Sequence, residues 1–337
     1  MEPILSVIIT AFNEGDFLVE AVRSVQRQTF TAWEIILVDD GSTGRTQEVA
    51  ASLVDEPGIR VIRQVNQGAS VARNTGLKHA RGKYVGFLDG DDCWYPDKAA
   101  SQIDILETHP AVDLTFAWWR YVDEQGNDTG RRGKPDKTPI LLEDLMKRNF
   151  LGTTSNAIGR KEAFFEAGLF DPDLRAAIDM EFYIRVGRLR EGNIKCIPRI
   201  LLDYRVRSGQ ISKNWHRMFQ NWERVMDKMR KLEPQRMAAI EDEAYAIAKR
   251  YLAYLAYEAE DYPASRRFLF EALRGNPGFL LDPGSTFTIM AVLCTYLPKR
   301  LHKPLAKWVQ DLRLTIRGKD VEKAFGLLPL WACCFCS

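Results

Sequence analysis

The first ninety residues alternate short apolar runs with longer amphipathic ones. LSVIIT and WEIILVDD read as buried strands, whereas FLVEAVRSVQRQ and ASVARNTGLKHA carry the three-to-four-residue spacing of helices. The resulting order, βαβαβαβ, predicts an α/β fold with a mostly parallel sheet and helices on both faces. Ligands of such sheets bind beyond the carboxyl ends of the strands, so polar residues at those ends are the first functional candidates.

The pattern changes after residue 122. The Gly-, Asp- and Lys-rich stretch 123–137 predicts a flexible loop or a hairpin over the site, where it could close on an acceptor. Residues 140–211 have a mixed pattern, with helices predicted near 141–148, 161–168 and 178–190 and a strand within 194–206. We assign this part to the same domain, which we expect to span residues 1–214.

From residue 215 the pattern is helical and predicts a second module, 215–337. Part of it, RYLAYLAYEAEDYPASRRFLFEALRGNP, is similar to one tetratricopeptide unit. A single copy cannot stack into a solenoid, which favours a helical hairpin that closes the core.

An apolar run at 287–297 is too short to span a bilayer, which needs about 20 apolar residues. The following segment, 299–323, is basic and amphipathic. It predicts either peripheral membrane contact through 287–323 or a helix packed on the second module with a solvated basic face.

The composition limits which partners and which cellular compartment we expect for the protein. The 337 residues carry 47 Lys and Arg against 45 Asp and Glu, a net charge of +2, which gives no reason to expect nucleic acid as a partner. The start of the chain lacks the features of a signal peptide and the six cysteines form no disulfide framework, so we expect a cytoplasmic protein. Cys333, Cys334 and Cys336 lie close together near the end of the chain. They form either a metal or lipidation site or a tail without a function.

Polar residues follow the first two strands. Asn13 and Glu14 follow one strand, and Asp39 and Asp40 end the next. A carboxylate there can accept a hydrogen bond from a base or a ribose hydroxyl, although Asp-Gly-Ser is also common turn chemistry.

Arg73 lies on the helix predicted to begin near Gly68. It could pair with a phosphate, or it could bridge to Asp39 or Asp40 as a structural residue.

The fourth strand runs into Asp89, Gly90, Asp91 and Asp92. Strand alternation would put Asp89 and Asp91 on one side. Paired carboxylates of this kind hold Mg²⁺ or Mn²⁺ together with substrate phosphates, and an acid-rich turn without a metal is the alternative.

Taken in order, SVIITAFNE, VDDGST, NQGASVARNTGL, GKYVGFLDGDD and IDMEFYIRV resemble the motifs of family 2 glycosyltransferases, which have the GT-A fold. The resemblance covers residues 4–212. It implies a Rossmann-like sheet domain that transfers a sugar from a nucleotide donor, with inversion, to a glycan or glycolipid acceptor. It also implies Mn²⁺ or Mg²⁺ as cofactor, and UDP is the family's commonest nucleotide.

The resemblance assigns roles to individual residues. Those expected to hold the base and ribose, or to lie near them, are Thr10, Ala11, Phe12, Glu14, Asp40 and Arg73. Asp91 is the expected metal ligand, Asp89 lies toward the ribose and the metal, and Asp92 supports them. Arg205 and Arg207 match a segment that approaches the diphosphate in the family, with a solvated strand end as the alternative.

Asp179 matches the family's catalytic base, which removes the proton of the acceptor hydroxyl. The acid that precedes it in the family is replaced by Ile178, and Glu181 is the reserve candidate. An Asp at a helix start is otherwise only a cap or a dipole partner.

The scattered histidines and the lack of Gly-x-Ser-x-Gly, Walker and Gly-x-Gly-x-x-Gly motifs in a strand-to-helix setting argue against hydrolase, kinase and dehydrogenase functions. The alternative hypothesis is a non-catalytic scaffold that keeps the fold and binds a partner through its helical module. Its best support is Ile178, which replaces an acid of the family. The enzyme is expected in cell-envelope glycan assembly, at the inner face of the plasma membrane.

Overall fold

The computed structural model describes residues 2–135, 137–208, 210, 214–281, 283–298, 300–302 and 304–305. These residues fall into two compact units. One comprises the described residues within 1–212 and 216–241, and the other comprises those within 213–215 and 242–337. The three terminal cysteines and most of the basic segment 299–323 lie outside the described residues.

A parallel sheet forms the first half of the larger unit. Its strands are β1 (Leu5–Ala11), β2 (Trp33–Asp39), β3 (Ile59–Arg63) and β4 (Tyr84–Asp89). They lie in the order β3-β2-β1-β4. The three connections contain α1 (Phe17–Gln26), α2 (Gly44–Ser52) and α3 (Ala69–His79). Every residue of β1 is buried, as expected for a strand covered on both faces, and this is why its sequence is continuously apolar.

The sheet continues beyond β4 with mixed pairing. The remaining strands are β5 (Cys93–Trp94), β6 (Leu114–Val122), β7 (Asp128–Gly133), β8 (Ile158–Arg160) and β9 (Ile194–Arg205). Short β8 joins β4 to β6 in antiparallel register, and the long pair β6 and β9 is parallel. β7 folds back on β6, so the stretch 123–137 contains a hairpin, one of its two predicted forms.

Helices complete the two units. They are α4 (Lys98–Thr108), α5 (Leu142–Lys147), α6 (Lys161–Glu166), α7 (Ile178–Leu189), α8 (Trp215–Leu232), α9 (Pro234–Glu258), α10 (Tyr262–Gly275) and α11 (Pro283–Cys294). Close packing of α3 on the sheet depends on Gly76, where an added Cβ would lie 2.3 Å from Cγ2 of Ile8. The predicted helix positions at 141–148, 161–168 and 178–190 are confirmed.

The smaller unit is helical, as its sequence pattern predicts. Ser265 Oγ on α10 donates a hydrogen bond of 2.7 Å to the carbonyl of Ala253 on α9, and Asp261 caps the start of α10. Ala246, Ala272 and Phe279 form a small core. Among the residues that the structure describes, we find no helix with the length and apolarity needed to cross a bilayer.

The fold is the predicted one, a mixed α/β architecture around a curled, mostly parallel sheet. The register places the ends of three strands side by side: Thr10 pairs with Asp89 across β1 and β4, and Ala11 pairs with Asp39 across β1 and β2. The polar residues that follow these strands therefore gather at one edge of the sheet.

Candidate active site

Two predicted site residues, Arg73 and Thr10, contact Asp89, the last residue of β4. Arg73 Nη2 lies 2.5 Å from Asp89 Oδ1, and Thr10 Oγ1 donates to the same oxygen at 3.3 Å. The alternative in which Arg73 bridges to Asp39 or Asp40 is wrong, because α3 directs the guanidinium to the end of β4. Arg73 is buried, and its Nε has no hydrogen-bond partner within the part of the chain that the structure describes.

Asp40 is buried and holds the loop between β3 and α3. Its Oδ1 accepts hydrogen bonds from Gln64 Nε2 at 2.7 Å and from the backbone N–H of Gln67 at 3.0 Å, and its Oδ2 accepts from the N–H of Gly68 at 2.8 Å. The carboxylate therefore organises the loop that precedes α3. Ala11 is buried beside it, whereas Phe12 is 47% exposed.

The acidic turn after β4 is built differently from the alternation that the sequence suggests. The strand ends at Asp89, so strand alternation does not extend to Asp91 and does not fix the side on which it lies. A tight turn places Asp91 instead, with Asp92 N–H donating to the carbonyl of Asp89 at 3.0 Å and Gly90 N–H donating to that of Thr10 at 2.9 Å.

Burial of these carboxylates disfavours their charged forms. Burial, together with the charge of Asp89, raises the pKa of Asp91, and the cation of Arg207 opposes that rise. Burial and the charges of Asp91 and Asp89 raise the pKa of Asp92 well above its usual range. The turn therefore concentrates negative charge that a cation would relieve.

Arg205 and Arg207 reach this turn from the end of β9 and the residues after it. Arg207 Nε donates to Asp91 Oδ2 at 2.7 Å. Arg205 is only 4% exposed, and its Nε donates to the carbonyl of Asp91 at 2.9 Å while Nη2 pairs with Glu20 at 2.5 Å. The solvated strand end considered for these residues is therefore wrong.

Glu14 faces the same turn from the segment after β1. Its Oε2 accepts a hydrogen bond from the backbone N–H of Phe12, and Oε1 lies 3.7 Å from Arg207 Nη2. Burial and the charge of Asp91 raise the pKa of Glu14 to about 7.

Asp179 lies in the first turn of α7, after Ala177 in the left-handed region at φ 53°. Its Oδ2 accepts a hydrogen bond from Asn149 Nδ2 at 2.6 Å, and its Oδ1 accepts from the N–H of Met180 at 2.9 Å. The side chain keeps some accessible surface, yet packing around it raises the carboxyl pKa, an effect that Arg73 opposes. A partly accessible carboxylate with a raised pKa is suited to accept a proton.

Glu181, the alternative candidate for the catalytic base, forms ion pairs with other side chains of the protein. It is 2% exposed and pairs with Arg185 at 2.7 Å and Lys228 at 3.1 Å. Both cations compensate the charge of this carboxylate, which is buried inside the protein.

Two residues of the site carry no sequence signal. Ser155 Oγ donates to Asp92 Oδ2 at 2.6 Å and accepts from the N–H of Asp89 at 3.0 Å, so one hydroxyl ties the acidic turn to the short 3-10 helix 154–156. Asn149 orients Asp179 in a similar way. Neither belongs to a recognisable motif, and both contacts span at least thirty residues of sequence.

The donor set suits a hard divalent cation shared with a ligand. In the described ranges, no three His, Cys, Asp or Glu side chains are arranged to hold a metal by themselves. Asp89 and Asp91 supply carboxylate oxygens, and burial raises the pKa of Asp91 even though Arg207 lies beside it. Mg²⁺ and Mn²⁺ take one or two protein carboxylates and complete their coordination with phosphates and water, so these residues fit such an ion.

Comparison with known proteins identifies the larger unit. Residues 6–167 match the family model described as glycosyl transferase family 2. The chain is 34% identical over 224 residues to the uncharacterized glycosyltransferase EpsJ of Bacillus subtilis, covering 63% of this chain and 64% of EpsJ. It is 28% identical over 227 residues to TuaG of the same organism, covering 66% of this chain and 86% of TuaG, whose name assigns it provisionally to teichuronic acid biosynthesis. The chain spans 64% and 43% of the lengths of two of its relatives, EpsJ and a glycosyltransferase of Rickettsia felis.

Solved structures share the fold. The mannosyltransferase PcManGT from Pyrobaculum calidifontis, in complex with GDP-Man and Mn²⁺, superposes with a TM-score of 0.58 at 17% identity, covering 97% of this chain and 88% of that one. S. aureus TarS 1-349, in complex with UDP-GlcNAc, gives a TM-score of 0.53 at 18% identity, covering 96% of this chain and 92% of that one. The fold of this chain is therefore that of GT-A glycosyltransferases.

Proposed function

Residues 6–167 belong to glycosyltransferase family 2, and on that basis we propose that the protein transfers a sugar from a nucleoside-diphosphate donor to an acceptor hydroxyl, with inversion at the anomeric carbon. The observation that carries the proposal is the convergence of Asp89, Asp91 and Asp179 on the carboxyl edge of the sheet. Arg73 pairs directly with Asp89 and acts electrostatically on Asp179, so the two carboxylates belong to one site.

The donor nucleotide is proposed to lie over the ends of β1 and β2. Phe12 offers an exposed ring for a base, and Thr10 and Ala11 line the strand end beneath it. Asp40 holds the loop on the far side, where it would meet the base or the ribose. UDP is the expected nucleotide, supported by the UDP-GlcNAc complex of TarS, a protein with the same fold.

The metal is proposed to be Mn²⁺ or Mg²⁺, held by Asp91 and Asp89 together with the donor diphosphate. The Mn²⁺ complex of PcManGT, which shares the fold, supports this choice. Bound there, the ion would neutralise charge that develops on the leaving diphosphate. Arg207, already 2.7 Å from Asp91, is placed to contribute a second positive charge to the same phosphates.

Asp179 is the proposed base. As the acceptor oxygen attacks the anomeric carbon, its proton moves to a carboxylate oxygen of Asp179, the new carbon–oxygen bond forms and the bond to the diphosphate breaks with its electron pair. Asn149 fixes the orientation of the carboxylate, and the raised pKa makes Asp179 a better proton acceptor than an ordinary aspartate.

The setting is proposed to be cell-envelope glycan assembly in the cytoplasm, at the inner face of the plasma membrane. The name of TuaG supports a cell-wall polysaccharide. The basic amphipathic segment within 287–323 would contact anionic lipid. Sedimentation with anionic vesicles at low salt, reversed at high salt, is the expected result, and no binding at low salt would contradict the membrane contact.

Transfer itself is tested by incubating the purified protein with UDP-, GDP- and dTDP-sugars, Mn²⁺ and a membrane-glycan extract, and detecting labelled product by mass spectrometry. We expect product from one donor class, and none from the Asp179→Asn variant. A protein that binds no nucleotide and makes no product with any donor would favour the scaffold, for which the replacement of an acid by Ile178 is the motivating feature.

A further inference from the structure

A pocket of about 220 Å³ opens beside the proposed base. It is lined by residues from β6, from the segment after β7 and from the segment after α5, namely Trp119, Lys134, Pro135, Arg148, Asn149 and Phe150. Asn149 is also the residue that donates to Asp179 at 2.6 Å. One side chain therefore separates the pocket from the carboxylate.

The amide of Asn149 has a fixed orientation. Its Oδ1 accepts hydrogen bonds from the backbone N–H groups of Leu151 at 3.1 Å and Gly152 at 3.2 Å, which leaves Nδ2 for Asp179. A molecule in the pocket that contacts Asn149 is thus placed next to the carboxylate oxygens.

Trp119 provides an aromatic wall whose position depends on two glycines. A Cβ at Gly133 would lie 2.0 Å from Cε2 of the indole, and one at Gly152, which has φ +78°, would lie 2.3 Å from Cζ2. The ring is 6% exposed and is held between these two backbone segments. The indole is therefore a rigid wall of the pocket.

The charge in the pocket is positive. Lys134 and Arg148 are both exposed, and across the described residues neither forms an ion pair with a carboxylate. They lie over aromatic rings instead, Lys134 at 5.2 Å from the centre of Trp118 and Arg148 at 4.1 Å from that of Phe150. Asp144, which is close to Arg148 in sequence, pairs instead with Lys137 and accepts a hydrogen bond from the N–H of Leu141.

We propose that this pocket binds the acceptor, and that the acceptor is a sugar bearing an anionic group, either a phosphate or a carboxylate. The anion pairs with Lys134 and Arg148, the sugar lies in the pocket against the wall that Trp119 forms, and the accepting hydroxyl reaches Asp179 past Asn149. This inference rests on the proposed function and narrows its substrate class.

The test uses the full-length protein and three probes: glucose 1-phosphate, glucuronic acid and methyl glucoside. Saturation-transfer NMR and titration measure binding to the wild type and to the double variant Lys134→Ala, Arg148→Ala, whose exposed positions leave folding intact. Arg60→Ala, which removes an exposed cation from β3 at the far edge of the sheet, is the matched control.

We expect at least one anionic sugar to bind more tightly than methyl glucoside, and the double variant to weaken its binding by about tenfold or more, since both charged hydrogen-bond donors to the anion are removed. Arg60→Ala should bind as the wild type does. Preference for glucose 1-phosphate indicates a phosphate acceptor, and preference for glucuronic acid indicates a carboxylate acceptor.

Equal binding of charged and neutral sugars, unchanged binding by the double variant, or no binding of either anionic probe would overturn the proposal. Nucleotide binding is measured on the same samples. If nucleotides bind and anionic sugars do not, this inference fails while the proposed function stands. If anionic sugars bind and no nucleotide does, the pocket binds an anionic sugar, but the proposed function fails and the sugar is not an acceptor.

Discussion

Arg207 Nε lies 2.7 Å from Oδ2 of Asp91, the carboxylate proposed to hold the metal. The two residues are 116 positions apart in sequence, and Asp91 is almost fully buried. In the metal-free protein this guanidinium supplies the charge that compensates Asp91. Metal binding and the position of Arg207 are therefore expected to be coupled.

Replacing Arg207 by Ala should expose that coupling. We expect the free energy of unfolding without metal to fall by about 1–3 kcal/mol, because a buried carboxylate loses its partner. The pKa of Asp91 should rise further, and Mn²⁺ should stabilise the variant more than it stabilises the wild type. Denaturant unfolding with and without Mn²⁺ measures this. Arg45→Ala, at an exposed ion pair, is the control, and an equal response of both variants to Mn²⁺ would refute the coupling.

Asp179→Asn should abolish transfer while leaving donor binding intact. A positioned general base contributes about 10²–10⁴-fold to rate, and asparagine retains the shape of the side chain but cannot take a proton. The kcat for transfer and the Kd for nucleotide are measured in parallel. Asp173→Asn makes the same change at an exposed carboxylate and should leave both the kcat and the Kd unchanged. Equal losses of binding and turnover would argue against Asp179 as the base.

Arg73→Ala should destabilise the protein by about 1–3 kcal/mol, since Asp89 loses its buried partner. Arg73→Lys retains the charge and should cost less. The matched control is Arg199→Ala, which removes an exposed cation 3.2 Å from the exposed Asp97 and should cost about 1 kcal/mol at most. Similar melting of both alanine variants would show that the Arg73–Asp89 pair has no special role.

Glu14 should make stability depend on pH in the metal-free protein. Its pKa is raised from 4.5 to about 7 on folding, so the folded state holds a proton that the unfolded chain releases. The free energy of unfolding is therefore highest below pH 4.5 and falls as the pH rises through 7. The fall is about 3 kcal/mol at most. Glu14→Gln cannot ionise and should show a flatter curve over this range. Parallel curves for both proteins, measured by urea unfolding with EDTA present, would contradict the shift.

Sequence patterning was sufficient for the sheet and for the neighbourhood of the site. Strands buried on both faces read as continuous apolar runs, so β1, β2 and β4 are visible without a structure, and so are the acids that follow them. Asp40 and Asp89 could be placed at one edge because parallel strands end together.

The partners of these acids could not be predicted in the same way. Arg73 pairs with Asp89 rather than with Asp39 or Asp40, since helix packing and not sequence spacing directs its side chain. Ser155 reaches Asp92 from 63 residues away. Local patterns carry no information on contacts of this length, and an isolated serine has no periodicity to reveal it.

The most direct test of the account is thermal unfolding of the wild type, Asp91→Ala and Asp179→Asn with UDP, GDP, dTDP or CDP, each with and without Mn²⁺. A ligand at about a hundred times its Kd adds about 2.7 kcal/mol to the free energy of unfolding. We predict a Mn²⁺-dependent rise in Tm with one nucleotide for the wild type and Asp179→Asn, and none for Asp91→Ala. No rise with any nucleotide, or the same rise in Asp91→Ala, would contradict a metal-assisted nucleotide-sugar transferase.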